Sequence, residues 1–231
     1  MTEITNDKLQ RVETQYSRLR TENFERPQYD YALNLLKNWN PSGRKIIEFG
    51  GGRGEFSRLM KKNNYDVTFT DINPENVKSA IANGFQAQVC DLNKPLIDIK
   101  DEIFDGAVML EVIEHVNLSE LLLSETNRVL KSGGFLILST PNPYFLWHRI
   151  NVLLGNEIVG EGYHYRFYNR NGLEKVIANS GFVIIARNPS TSTFGLNFFT
   201  SRLFHKTVNF RLPVFLHGLF ARKFYILAIK K

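Results

Sequence analysis

A short apolar run, Lys45–Phe49, passes straight into Gly50-Gly51-Gly52-Arg53-Gly54 and then into a helical pattern. This junction constrains the chain more than any other stretch of it. Glycine at every second position, 50, 52 and 54, serves where the main chain must turn sharply or let another molecule come close. Between a strand end and a helix start, such a loop offers free N–H groups and the positive end of the helix dipole to a ligand. The spacing narrows the ligand. A dinucleotide loop wants glycine at its first, third and sixth positions, and counting from Gly50 the sixth position is Glu55. With Glu48 two residues ahead, the pattern reads E-x-G-x-G-x-G. A carboxylate that close is tolerable where no diphosphate has to be cradled, and it suits a cationic, amino-acid-like ligand.

The rest of the chain repeats the strand–helix unit. Lys45–Phe49, Asp66–Thr70, Phe85–Val89, Phe104–Leu110, Phe135–Thr140 and Phe182–Ala186 read as strands, with a final strand at Phe224–Ile229. Gly54–Asn63, Pro74–Asn83, Leu118–Leu130 and Asn171–Asn179 read as helices, punctuated by Lys131-Ser132-Gly133-Gly134 and Ser180-Gly181. This alternation predicts an α/β domain whose mostly parallel sheet is covered by helices on both faces. Residues 1–43 read as a helical flank or lid that stops at Asn40-Pro41-Ser42-Gly43, and residues 44–231 as the domain itself. Two stretches, 141–168 and 188–221, break the alternation and are read as inserts that form a cap. A chain of 231 residues with 43% hydrophobic residues buries a core without disulfides or metal.

Acidic residues follow the strand ends at a fixed interval: Asp71, Asp91 and Glu111 are each 20 residues apart. Ligands of open α/β sheets bind at the carboxyl ends of the strands, so these carboxylates are expected to line one crevice. An acid about 20 residues past a glycine loop suits a pair of ribose hydroxyls, the place Asp71 holds, and Asp91 could accept from an adenine amino group. These marks, with Cys90-Asp91-Leu92, Glu111-Val112-Ile113-Glu114-His115-Val116 and Leu130-Lys131-Ser132-Gly133-Gly134, resemble those of class I S-adenosylmethionine-dependent methyltransferases. The likeness is to the small-molecule branch near the ubiquinone-type and sugar methyltransferases, and it covers roughly Arg44 to Gly181. It implies a Rossmann-like three-layer sandwich with a seven-stranded, mostly parallel sheet whose last strand, Phe224–Ile229, is reversed. It implies S-adenosylmethionine as the methyl donor, with Gly50, Gly52 and Gly54 near the methionine part, Asp71 on the ribose, and Asp91 with Leu92 framing the adenine. Glu48, Gly51, Ile72 and Glu111 complete the expected cofactor set. Arg53 departs from the family, which more often has a small residue there.

Methyl transfer from a sulfonium is an in-line displacement that chiefly needs a well-placed acceptor, and an alcohol acceptor gains from a general base. Two histidines stand where a base is needed. His115 follows the fourth strand, and His164 lies in Gly162-Tyr163-His164-Tyr165-Arg166-Phe167-Tyr168 after the fifth. The competing roles are a helix-start residue bonding the backbone for His115 and a docking segment that ties down the next helix for His164. Tyr144, Tyr163 and Arg166 are the candidate acceptor contacts. No metal is expected. Asn142-Pro143-Tyr144 is a weak match to the tetrapeptide of amino-methyltransferases, because it lacks the second proline and follows the wrong strand.

Charge adds a view of the partners. From Lys175 to Lys231 there are nine Lys and Arg and no carboxylate, while the preceding part carries 20 basic against 23 acidic residues. Phenylalanines are interleaved with those cations across 188–221. Such a surface is expected to meet a small-molecule or a glycan- or lipid-linked acceptor, and it would equally serve peripheral membrane contact or a homodimer. An RNA methyltransferase is the alternative that its stacking aromatics suggest, disfavoured because the chain shows no known RNA-binding module. A cofactor-binding protein without turnover is another. The lone Cys90, the lack of an apolar leader in Met1–Arg20, and the glycines and prolines breaking Ser132–Trp147 lead to a cytoplasmic expectation.

Overall fold

The structure is a computed structural model that describes residues 27–39, 41–156, 164–188, 190–191 and 216–231. In chain order, α1 is Pro27–Trp39, β1 Lys45–Phe49, α2 Glu55–Lys62, β2 Asp66–Asp71, α3 Pro74–Ala82 and β3 Gln86–Val89. Then come β4 Phe104–Leu110, a 3-10 turn over Ile113–His115, α4 Ser119–Val129, β5 Leu130–Pro141 and α5 Leu146–Leu153. The described elements end with α6 Arg170–Asn179, β6 Phe182–Arg187, the two-residue β7 Ser190–Thr191, α7 His217–Phe220 and β8 Ala221–Lys230.

The strands form one sheet in the order β3-β2-β1-β4-β5-β8-β6, with β7 pairing β8 off that path. β1 is parallel to β2 and β4, and β8 is antiparallel to both β5 and β6. This is the doubly covered sheet with a reversed last strand that the resemblance implies. Alternation along the strands divides the interior into two cores. Ile47, Phe49, Ala107, Met109, Leu136 and Leu138 join Leu122 and Leu123 of α4 and Leu173 and Ile177 of α6. Ile46, Val108, Phe135 and Ile137 join Leu35 and Leu36 of α1, Phe56 and Met60 of α2, and Val77 of α3. Strands with apolar side chains on both faces must be covered on both, so the helices divide between them.

Local chemistry sets the helix starts that frame the crevice. The Asn73 side chain accepts from Glu75 N–H ahead of Pro74 at the start of α3, and the Asn169 side chain accepts from Gly172 N–H at the start of α6. The fifth strand differs from its expected bounds. It begins at Leu130, and Lys131-Ser132-Gly133-Gly134 is an excursion within it: Phe104 faces Leu130 while Gly106 already faces Phe135. Gly133, at φ 72, gives the chain that turn. Of the expected cap, α5 is a helix with no buried residue. Most of 188–221, residues 157–163 and the first 26 residues of the flank lie outside the described residues. Among the described residues no helix is long and apolar enough to cross a membrane.

Candidate active site

The glycine loop closes over two buried carboxyl groups. Gly50, Gly52 and Gly54 all adopt left-handed backbone, with φ of 63, 55 and 69. A Cβ at Gly51 would lie 2.2 Å from the Phe69 ring, so this glycine is needed for packing, whereas at Gly52 it would meet nothing within 4 Å. Gly52 is thus the loop residue that faces open space. Its N–H donates to Asp71 Oδ2 at 2.7 Å, and Asp71 Oδ1 accepts from Asn73 N–H at 2.9 Å and from the Asn76 side chain at 3.2 Å. Asp71 is 7% exposed, and burial raises its pKa against the pull of those hydrogen bonds. Glu48, 5% exposed, accepts a hydrogen bond from the Ser57 hydroxyl. Burial pushes its pKa up to about 7, opposed by the Ser57 bond and aided by the nearby charge of Asp71. Neither carboxyl group has an ion-pair partner among the described residues. Two buried carboxyl groups under a loop with open space suit a cationic or polyhydroxyl ligand.

Next to Asp71 in the chain, Ile72 is 43% exposed. Asp91 Oδ1 accepts from Asn93 N–H at 3.0 Å, and its other oxygen lies 3.2 Å from Lys94 Nζ. The Leu92 side chain is 9% exposed and packs in the core.

The carboxyl end of β4 carries the second half of the site, adjoining the first because a Cβ at Gly50 would touch Val112 at 2.8 Å. Glu111 sits in left-handed backbone, φ 59, a strained position for a residue with a side chain. Its carboxylate is held by the Ser139 hydroxyl at 2.7 Å and by Lys223 Nζ of β8 at 2.7 Å. That aims it toward β5 and β8 rather than toward the glycine loop. Glu114, 1% exposed, accepts from the Thr140 hydroxyl at 2.9 Å through one oxygen. Its other oxygen, Oε1, is buried without a hydrogen-bond partner and lies 4.0 Å from His115 Nε2. Burial, and then the charge of Glu111, hold the Glu114 carboxyl well above the usual range.

His164 meets His115 there, their rings in edge contact at 4.8 Å between centroids. The join is made by backbone: the N–H groups of Tyr165 and Arg166 donate to the Glu114 carbonyl at 2.8 and 3.1 Å. One donor atom each from Glu114, His115 and His164 falls within 4.8 Å of the others. A carboxylate with two imidazoles is a proton-handling cluster, and it is also a donor set that a divalent cation of the zinc type accepts. Arg166 reaches elsewhere, donating to the Asn117 carbonyl at 3.2 and 2.8 Å and to Glu120 at 3.4 Å. Tyr144 is 39% exposed at the start of the cap, and Tyr163 lies outside the described residues. Sequence reasoning passed over Glu114, although the acids in Glu111-Val112-Ile113-Glu114 recur one helical turn apart. It also missed Ser139 and Lys223, which no local signal could join to Glu111.

A methyltransferase-domain family matches residues 21–187, and the chain belongs to that family. The rat mitochondrial ubiquinone biosynthesis O-methyltransferase is 30% identical over 172 residues, covering 65% of this chain and 50% of that protein. The ubiquinone biosynthesis O-methyltransferase of Psychrobacter arcticus is 25% identical over 172 residues, covering 67% of each. The chain spans about half the length of the mammalian relatives it matches. Among solved structures, a SAM-dependent methyltransferase of Thermotoga maritima superposes with a TM-score of 0.64 at 22% identity, covering 88% of this chain and 89% of that one. An S-adenosylmethionine-dependent methyltransferase of Mesorhizobium loti gives 0.62 at 16%, covering 87% and 98%. At these identities the structural likenesses show the fold.

Proposed function

We propose that the protein transfers a methyl group from S-adenosylmethionine to an oxygen of a small-molecule, glycan-linked or lipid-linked acceptor. One observation carries this reading: the carboxyl ends of adjoining strands bring a cation-seeking pocket, Glu48 and Asp71 beneath Gly52, beside the acid–base cluster of Glu114, His115 and His164. The first half of the site holds the donor, with Glu48 toward its ammonium group, Asp71 on the ribose hydroxyls, and Ile72, Asp91 and the Leu92 backbone around the adenine. S-adenosylmethionine supplies an electrophilic methyl group on a sulfonium. The chain's own work is to hold an acceptor oxygen in line at about 3–3.5 Å and to take up its proton. His115 or His164 accepts that proton, and the imidazolium so formed favours the ionised form of the Glu114 carboxyl beside it. The likeness to ubiquinone biosynthesis O-methyltransferases supports oxygen as the acceptor atom. Tyr144, Tyr163 and Arg166 complete the acceptor side of this reading.

The test is transfer of labelled methyl from S-adenosylmethionine to a panel of phenols, nucleotide sugars and lipid-linked sugars. Label on a hydroxyl, reduced in His115→Ala and His164→Ala, is the expected result. Binding of S-adenosylhomocysteine with no transfer across the panel would point to a protein without turnover, and label on RNA would overturn the acceptor class.

A further inference from the structure

The connection from β3 to β4, residues 90–103, contains no helix or strand, yet it opens with Asp91 and Leu92. Its shape therefore depends on what grips it, and the grip comes from α4. At the near end, the Asn93 side-chain oxygen accepts from the N–H groups of Asn117 and Leu118 at 2.8 and 3.3 Å. Further along, the Arg128 guanidinium spends all five of its N–H donors. Nε donates to Glu125 at 3.0 Å, Nη1 to the Ile99 carbonyl at 2.9 Å and to Asp101, and Nη2 to the Leu96 carbonyl at 2.9 Å and to Glu125 at 2.8 Å. Glu125 also accepts the Leu96 N–H at 2.7 Å. Both polar groups of the Leu96 backbone are thus tied to one ion pair on α4, while the side chains of Leu92, Leu96 and Ile99 are buried in the core. A guanidinium presents five donors in a fixed fork, which an ammonium cannot reproduce.

We infer that the Arg128–Glu125 pair is the positioning device of the adenine side of the donor site. By fixing Leu96, and through it the short span back to Asp91, the pair sets where the Asp91 carboxylate and the Leu92 backbone stand, and so sets preference for a purine bearing a 6-amino group. Among the described residues the Asp91 side chain bonds within the loop, to Asn93 N–H and Lys94, so its place follows from whatever holds the loop. The inference rests on the proposed role of Asp91 and Leu92 as the adenine frame.

Calorimetry on the full chain with two ligands, S-adenosylhomocysteine and S-inosylhomocysteine, tests it, because the ratio of their dissociation constants reads the adenine frame and does not move with the folded fraction. The native chain is expected to prefer the adenosyl ligand by about tenfold or more, the worth of one buried hydrogen bond. Arg128→Lys and Arg128→Met bring the ratio toward one by weakening S-adenosylhomocysteine alone. Glu125→Gln leaves residue 128 an arginine but replaces one of the two oxygens that hold its guanidinium by an amide nitrogen that cannot accept, and it gives the same direction if the methionine variant fails to fold. A preference left intact in folded Arg128→Lys and Glu125→Gln overturns the inference. A native chain with no preference at all overturns the adenine reading of Asp91 itself, an outcome distinct from the first.

Discussion

Glu48→Gln offers the sharpest trade between stability and binding in this protein. The carboxyl group is fully buried, and its pKa stands at about 7 against an ordinary 4.5. Between those two values the folded chain holds a proton that the unfolded chain has lost, so stability falls as pH rises through the window. At pH 8 the native protein bears the whole cost of an ionised, buried carboxylate. A shift of about 2.5 units corresponds to about 3 kcal/mol, an order-of-magnitude figure. Glutamine has the same shape, keeps an oxygen for the Ser57 hydroxyl and never ionises. Chemical denaturation at pH 8 should therefore show Glu48→Gln more stable than the native chain, by up to about 3 kcal/mol. At pH 4.5 the gain should have largely gone. Asp71 is raised in the same direction and is present in both proteins, so the difference between them reports Glu48 together with its coupling to Asp71. Binding should move the other way. An ammonium group needs the anion, so S-adenosylhomocysteine affinity rises from pH 6 to 8 in the native chain and is flat and about tenfold weaker at pH 8 in the variant. A variant that is less stable at pH 8, or that keeps the native pH dependence of binding, refutes the reasoning.

Gly51→Ala and Gly52→Ala should fail in different ways. The first drives a methyl into the Phe69 ring and costs about 1–3 kcal/mol of stability; the second meets no neighbour but holds alanine in left-handed backbone, at a cost of about 1–2 kcal/mol, and fills the open space at the loop, so S-adenosylhomocysteine binding is lost in protein that is still folded. Alanine at His164 should lower the methyl-transfer rate by about 10²–10⁴ with donor affinity unchanged. A matching loss of affinity would make His164 structural. Trp147, Leu153 and Leu154 on and after α5 are 48%, 85% and 72% exposed, in a chain whose last quarter is basic. Co-sedimentation with anionic but not neutral vesicles, weakened by salt and by Leu153→Glu, is the expected result for the membrane contact proposed from the sequence.

What the sequence made legible was what depends on neighbours in the chain. Strands β1 and β4 have the bounds their apolar runs predict, and the reversed β8 pairs between β5 and β6 as the resemblance implies. The loop from Glu48 to Gly54 and its approach to Asp71 followed from glycine spacing and strand order. Other features arise only by folding. Glu114 and His164 are brought together by backbone bonds from residues far along the chain, and Lys223 reaches Glu111 from a strand 112 positions later. Lys131-Ser132-Gly133-Gly134 follows the end of α4 at Val129, as its glycines predict, but the same residues also form an excursion within β5 that the sheet absorbs on either side.

Titration calorimetry with S-adenosylhomocysteine tests the donor pocket most directly. The native chain should bind in the micromolar range, about −8 kcal/mol, and Asp71→Ala, which removes the partner of the Gly52 N–H as well as the proposed ribose acceptor, should abolish the signal while circular dichroism stays native. Binding that survives in a folded Asp71→Ala, or its absence in the native chain, would contradict the reading of this crevice as an S-adenosylmethionine site.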